Sequence, residues 1–312
     1  MNAFQVRNPG VLTLLQDSGR FGQHGIGLTT GGPVDNMAMS WANLLVGNPT
    51  GSTALEVSFG GLELEVGADT VISLAGGDCP VTLNSDRELE YWRSHRVREG
   101  DVLRFAYASR FCRSYLAVAG GFLVEPSFGS TATVVREGLG GFDGDKLQQG
   151  AMLQISRAQK EICLQLVNPP SYTEDIEVRV LCGYQVDHFP EPQRRRFFSS
   201  TYTVSDRADR MGYRLEGPAV ESDLDGILSE GICQGAIQIP ADGQPIVLLQ
   251  DRQTIGGYPK IGSALSLDTA ELAQQMPGAR VQFREISHFE AHNALHLAAA
   301  KLRNTKLEPA ID

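Results

Sequence analysis

Along most of this chain, apolar residues come in short alternating or continuous runs that glycine, proline, asparagine and aspartate break every few positions. That rhythm predicts strands over residues 11–15, 53–59, 62–66, 71–74, 81–83, 102–105 and 114–119. Turns are predicted at Gly76-Gly77 and Arg98-Glu99-Gly100-Asp101. Asn168-Pro169-Pro170-Ser171 reads as a linker, and residues 176–181 begin a second set of strands that closes at 279–286. Residues 237–239 and 246–249, joined by Pro240-Ala241-Asp242-Gly243, read as a hairpin.

Helical spacing is rarer. Asp35 precedes a run with apolar residues at Val34, Ala38, Trp41 and Leu45, and Gly47 follows, so a capped helix is predicted over 36–45. A short helix is expected over 191–198 after Pro190. Asp268-Thr269-Ala270-Glu271 reads as a capping box for a helix ending at Pro277-Gly278, and Ser287-His288-Phe289-Glu290 as a second one, opening a final helix to about Asn304. His288, His292 and His296 share a face of that last helix. With no acidic loop beside them they read as solvent or interface residues, and no metal site is expected.

The short strands and 34 glycines give a mainly β chain with a few short helices, in barrels or sandwiches, and 312 residues are enough for two domains. A formal charge of −10 argues against nucleic acid as a partner, since Arg194-Arg195-Arg196 is the only dense basic cluster. No apolar run approaches the about 20 residues of a membrane span, and MNAFQVRNPG lacks the apolar core of a signal peptide, so a cytoplasmic protein is expected. The five cysteines are scattered, without metal-ligand spacing, and read as core residues.

Candidate chemistry gathers in GAIQIPADGQPIVLLQDRQTIGGYPKIG, residues 235–262, where a strand delivers Gln250, Asp251, Gln253 and Thr254 onto Gly256-Gly257-Tyr258. Glycine lets main-chain N–H groups approach a ligand closely, though a tight sheet corner would use the same residues. Leu14-Leu15-Gln16-Asp17 repeats Leu248-Leu249-Gln250-Asp251, with Gly22 at the offset of Gly256, which suggests two related half-sites. Glu56, in an apolar strand, reads as an arginine partner or a proton carrier, and Asn43, inside a helix, as a structural hydrogen bond or a ligand contact. Arg207, Arg210 and Arg214 stand around Met211-Gly212-Tyr213 and could capture a carboxylate or phosphate, or else pair with Asp209 or Glu216. No glycine loop matches a P-loop, because neither Lys146 nor Lys260 stands in a G-K-[ST] context.

The blocks QDSGRFGQHGIG, GGPVDNMAMSWANLLVGN with TALE, SYLAVAGG, RMGYRLEG and SEGICQGAIQIPADGQPIVLLQDRQTIGGYPKIG occur in collinear order. Together they resemble the C-type subunits of prokaryotic 5-oxoprolinases, the KipA family, also described as similar to the second subunit of allophanate hydrolase and to half of the carboxyltransferase domain of urea carboxylase. Residues 262–268 depart from the hydrophobic strand expected there. The resemblance implies two cyclophilin-like β-barrel units, residues 1–170 and 171–312, the second carrying the C-terminal helix, with strand exchange between them open. It also implies two partners, a KipI-like B-type subunit and a third, A-type subunit. ATP, bound at the level of the complex, would drive the opening of 5-oxo-L-proline to L-glutamate.

A lactam sets N–H beside C=O, and the amides of Gln16, Gln238, Gln250 and Gln253 can complement both. Arg20, Arg210 or Arg214 would hold a carboxylate or a phosphorylated intermediate, while Asp17 or Asp251, with Gln16, would orient water or move a proton. Asp35, Asn43, Glu56, Tyr213, Gln244, Thr254, Gly256, Gly257 and Tyr258 complete the candidate substrate contacts. Two rivals stay open. One is a biotin-dependent carboxyltransferase acting on urea-like or amide substrates, with any biotin carried by another chain, since no methionine here is followed by lysine. The other is a non-enzymatic regulator that binds a KipI-like kinase inhibitor.

Overall fold

The computed structural model describes residues 2–156, 162–224 and 226–310. The chain divides into two compact units. The first is made of Met1–Gly22, Thr30–Ser171 and Asn304–Asp312, and the second of Gln23–Thr29 and Tyr172–Arg303. Both are built mainly of strands, with four α-helices among the described residues: α1 (Asn36–Leu45), α2 (Glu191–Ser199), α3 (Ser266–Gln274) and the C-terminal α4 (His288–Arg303). No described helix is long and apolar enough to cross a membrane.

The first unit carries its strands in two sheets. One runs in the order Met152–Gln154, Ala3–Pro9, Leu62–Val66, Val102–Phe105, Val81–Leu83, Arg87–Glu88. The other runs Leu12–Gln16, Ala54–Ser58, Arg113–Val118, Thr70–Gly76, Arg93–Val97, Leu164–Leu166, Leu307–Pro309. Phe4, Val6, Leu64 and Leu103 from the first sheet meet Leu15, Leu55, Ile72, Leu74 and Leu116 from the second in one core. The alternate residues Val71, Ala75, Tyr115 and Ala117 leave the other face of the second sheet and pack against Ala38, Met39 and Ala42 of α1. Strands Thr70–Gly76 and Arg113–Val118 are therefore covered on both faces and buried at every position, which explains their continuous apolar runs.

Helix α1 starts where the sequence places it. The Asp35 Oδ1 accepts from Ala38 N at 3.0 Å, and Gly47, at φ 74°, closes the far end with its N–H on Leu44 O.

The second unit is a closed seven-stranded barrel in the order Asp175–Cys182, Lys260–Ala264, Ala236–Gln238, Ile246–Leu248, Gly212–Glu216, Thr201–Ala208, Arg280–Glu285. A parallel pairing of Asp175–Cys182 with Arg280–Glu285 closes it, and the other barrel pairs are antiparallel. Helix α4 opens with the expected capping box: Ser287 N donates to Glu290 Oε2 at 2.8 Å and Glu290 N to Ser287 Oγ at 3.2 Å. Helix α3 corrects the other one. It begins three residues early, at Ser266, and its cap residue Leu265 offers no side-chain bond. The Asp268 carboxylate instead accepts from Arg179 N, Nε and Nη2 at 2.7, 2.9 and 2.6 Å, pinning α3 to the first barrel strand.

Candidate functional site

A pocket of about 400 Å³ opens on one face of the barrel wall in the second unit. Three strands make that wall, with Gly212 opposite Leu248, Arg214 opposite Ile246, and Gln238 opposite Ile246 on the other side. Since side chains alternate along a strand, Gly212, Arg214, Ile246, Leu248 and Gln238 line the pocket. The residues between them, Tyr213, Val247 and Ile237, are at most 1% exposed and face the other way. Ile232, Ile246 and Leu248 belong to the pocket's apolar lining and form one cluster with Ala236. The volume falls in the range of small-molecule sites, which pair an apolar lining with a few polar groups.

Those polar groups are unusual in having few protein partners. Gln238 is 6% exposed, and its amide has no hydrogen-bond partner among the described residues. Arg252 is 5% exposed; its Nε donates to Ile232 O at 3.2 Å and its Nη1 to Leu249 O at 3.4 Å. Burial pushes its pKa below the ordinary arginine value. Arg214 and Arg207, less buried, make no ion pair among the described residues. Asp206, Asp209, Gln253 and Tyr258 are the other polar groups of the lining.

The Gly256 stretch of the glycine-rich loop is half of a two-stranded ribbon, Ile255–Gly256 pairing with Glu230–Gly231. A Cβ at Gly256 would stand 2.5 Å from Ile232 Cδ1 and 2.7 Å from Gln238 Nε2, so glycine is what leaves room for that amide. The ribbon is fastened at Glu230, which binds Lys260 Nζ, Tyr184 Oη and, at 2.9 Å, Gln185 Nε2. The Lys260 ammonium, aided by Tyr184, holds the Glu230 carboxyl below the usual range.

Residues 26–285 match the family model described as carboxyltransferase domain, subdomain A and B. The chain belongs to that family. Its curated relatives include the C subunit of 5-oxoprolinase from Escherichia coli, 35% identical over 91% of this chain and 92% of that one. The corresponding 5-oxoprolinase C subunit of Haemophilus influenzae is 34% identical over 89% of each chain. Among solved structures, the K. lactis urea amidolyase superposes with a TM-score of 0.89 at 28% identity over 97% of this chain. This chain spans 20% of that much longer protein.

Of the residues expected to contact substrate, this carboxyltransferase-family chain brings Arg214, Gln238, Gln253 and Tyr258 to the pocket, with Gly256 beside Gln238. Asp251 and Arg210 form a bidentate pair, Nε to Oδ2 at 2.8 Å and Nη2 to Oδ1 at 2.9 Å, with both side chains buried. Arg210 thus pairs with a carboxylate 41 positions away. Asp209 Oδ1 caps the turn by accepting from Met211 N and Gly212 N. Tyr213 donates its hydroxyl to Ala273 O at 3.0 Å, and Gln244 clamps the main chain of Gly217 from both ends of its amide. The main-chain carbonyls of Gln250, Thr254 and Gly257 accept from Thr29 Oγ1, Ile232 N and Ile227 N respectively.

The other expected residues lie in the first unit, in bonds that hold its loops and helix. Asp17 accepts from Gly19 N and Ser130 Oγ on one oxygen and from Thr131 N on the other. Gln16 donates to Thr133 O, while its Oε1 is buried without a hydrogen-bond partner among the described residues. Arg20, fully buried, donates to Ser127 O and Ala132 O. Glu56 Oε2 accepts from Val34 N at 3.0 Å and from the Tyr115 hydroxyl at 2.7 Å, and Tyr115 accepts from Asp35 N, so Asp35 and Glu56 anchor the start of α1 together. Burial, with Glu56 and Asp35 nearby, drives the Tyr115 phenol well above its ordinary pKa. Asn43 donates to Met39 O, Thr50 O and Ser52 O and accepts from Asn48 Nδ2.

Arg252 is a pocket residue that was not among the expected contacts, while Arg207, one of the three arginines marked around Gly212, does border the pocket. The available signal was the position of Arg252, directly after Asp251 within the stretch already marked as central. As a nucleotide cradle the loop is poorly suited. It runs on into the strand Lys260–Ala264 and not into a helix N-terminus, and its lysine is committed to Glu230. Among the described residues no cluster of His, Cys, Asp and Glu could hold a metal ion.

Proposed function

We propose that this chain belongs to an ATP-dependent 5-oxoprolinase complex, as one of its subunits, that opens 5-oxo-L-proline to L-glutamate, and that the barrel-wall pocket holds the lactam. One observation carries the reading: the likeness to the 5-oxoprolinase C subunit extends over 92% of the Escherichia coli protein's length. The pocket chemistry supports it. A ring amide presents an N–H donor and a C=O acceptor side by side, and the buried Gln238 amide offers the matching acceptor and donor with no protein partner to displace among the described residues. The apolar lining of Ile232, Ile246 and Leu248 suits the ring methylenes.

Opening an unstrained lactam is uphill without activation, and ATP would supply that drive. We assign the nucleotide to another subunit, because this chain's glycine loop lacks both a following helix and an uncommitted lysine. The partners are then a KipI-like B-type subunit and an A-type subunit, and the complex works in the cytoplasm. In this scheme the chain's own residues bind and orient: Gln238 fixes the ring amide, Arg214 and Gln253 line the approach, and Tyr258 screens the mouth.

The test is to purify the chain alone and with its two partner subunits and to follow ATP hydrolysis dependent on 5-oxo-L-proline. Turnover by the full set and none by the isolated chain is expected. An inactive full set would sink the reading. It would leave the carboxyltransferase alternative, favoured by the superposition on urea amidolyase, in which a urea-like or ureido amide takes the same pocket.

A further inference from the structure

Two arginines flank one carboxylate here, and only one of them forms an ion pair with it. Asp251 gives both of its oxygens to Arg210, and its own N–H to Arg210 O at 2.9 Å. Arg252, the next residue, is as deeply buried, yet it makes no ion pair among the described residues. Its two protein acceptors are neutral carbonyls at long distance, against the five N–H donors of a guanidinium. A charge withdrawn from water to this degree is costly unless an anion completes it. Arg252 borders the pocket, so the anion can arrive with a ligand.

Gln238 is the second group in the same condition. It too is more than nine-tenths buried, lines the same pocket and lacks a partner among the described residues. One ligand completing both must combine a negative charge with an adjoining N–H and C=O. A lactam bearing a carboxylate on the carbon next to its nitrogen does so. Urea and other uncharged amides satisfy Gln238 and leave Arg252 bare.

We infer that Arg252 is the specificity-determining residue of this pocket, pairing with the carboxylate of a cyclic amino-acid amide and discriminating against uncharged amides. The inference rests on the lactam reading above and narrows its substrate class. Arg214 and Arg207, nearer to water, line the pocket beside Asp206 and Asp209 and offset the charge of those two carboxylates, which leaves the charge of Arg252 for the anion. Selection follows from the penalty for leaving a buried donor unpaired, which rejects an analogue lacking the complementary group far more strongly than a missing methylene would.

The experiment compares 5-oxo-L-proline with its uncharged carboxamide in the complex assembled with both partner subunits. Wild type is expected to prefer the acid by about 100-fold or more in kcat/KM. In Arg252→Gln the acid should lose most of that through KM while the carboxamide is unaffected or improved, so the ratio approaches one. Arg252→Lys, which keeps the charge but not the planar fork, should retain part of the preference. It also serves if the glutamine variant loses its cooperative melting transition. A ratio unchanged by either substitution, or a wild type indifferent to the carboxylate, overturns the inference. A wild-type complex that opens neither lactam overturns the functional reading instead. Calorimetric titration of the full chain with the two lactams then decides the role of Arg252: weaker binding of the carboxamide, erased in Arg252→Gln, upholds it, and equal binding overturns it.

Discussion

Arg210 grips both oxygens of Asp251, at 2.8 and 2.9 Å, where the two residues are 5% and 6% exposed. A buried pair of this kind is worth little against a well-packed apolar replacement, but breaking it strands a charge. Asp251→Asn is therefore expected to cost about 3–5 kcal/mol of folding stability. The double variant Arg210→Met with Asp251→Leu should recover most of the loss. Urea melts of the three proteins check this, and single and double variants of equal stability would contradict it.

Gly256 is predicted to be a site glycine and not a folding glycine. An alanine methyl there meets only the ends of two flexible side chains, Ile232 Cδ1 and Gln238 Nε2. Gly256→Ala should lower the melting temperature by no more than a few degrees, the lower end of the usual overpacking cost. It should nevertheless cut turnover of the assembled complex about tenfold or more, by turning the Gln238 amide away from its ligand. Full activity with a normal melt would mean that Gln238 does not need that position.

Gln238→Ala makes the complementary case. The amide has no hydrogen bond to lose among the described residues, so its removal should leave stability nearly unchanged. The same change should raise KM for the lactam about tenfold, the value of roughly one good hydrogen bond. Parallel melts and initial-rate kinetics separate the two effects, and a strongly destabilised variant would make Gln238 a structural residue.

The first unit carries a pH dependence of its own. His95 is 2% exposed in the strand Arg93–Val97, and its Nε2 lies 2.8 Å from the carbonyl of Glu90, an acceptor, so Nε2 carries the proton. Nδ1 is buried without a partner among the described residues. Burial is the main cause that lowers the pKa of His95 below 6.5, with Arg93 and Arg87 adding to it. The unfolded chain therefore binds the proton first as pH falls. This contribution to stability is intact above about pH 6.5 and is lost as pH drops from there through the folded-state value. His95→Gln should flatten that part of the curve of melting temperature against pH. An unchanged slope between about pH 7 and about pH 5 would assign it to other groups.

What could be read from the sequence was what is local. The cap at Asp35, the Ser287–Glu290 box and the hairpin around Pro240 each depend on residues a few positions apart, and each is present. The box at Asp268 failed because Arg179, 89 positions earlier, claims the carboxylate that would have capped the helix. The arginines of 206–217 could not be sorted either. That Arg210 finds Asp251, 41 positions later, is a property of the closed barrel and not of spacing. The predicted strands at 237–239 and 246–249 did contain part of the pocket wall, since Gln238, Ile246 and Leu248 line it. Its meaning needed the neighbouring strand.

The same three strands show two different surfaces, one holding Tyr213, Ile237 and Val247 and the other Arg214, Gln238 and Ile246. Each set occupies every second residue, so a lineage can rewrite what the enzyme accepts at one set of positions while the other goes on sealing the barrel. Proteins of this architecture can thereby diverge in chemistry without renegotiating how they fold.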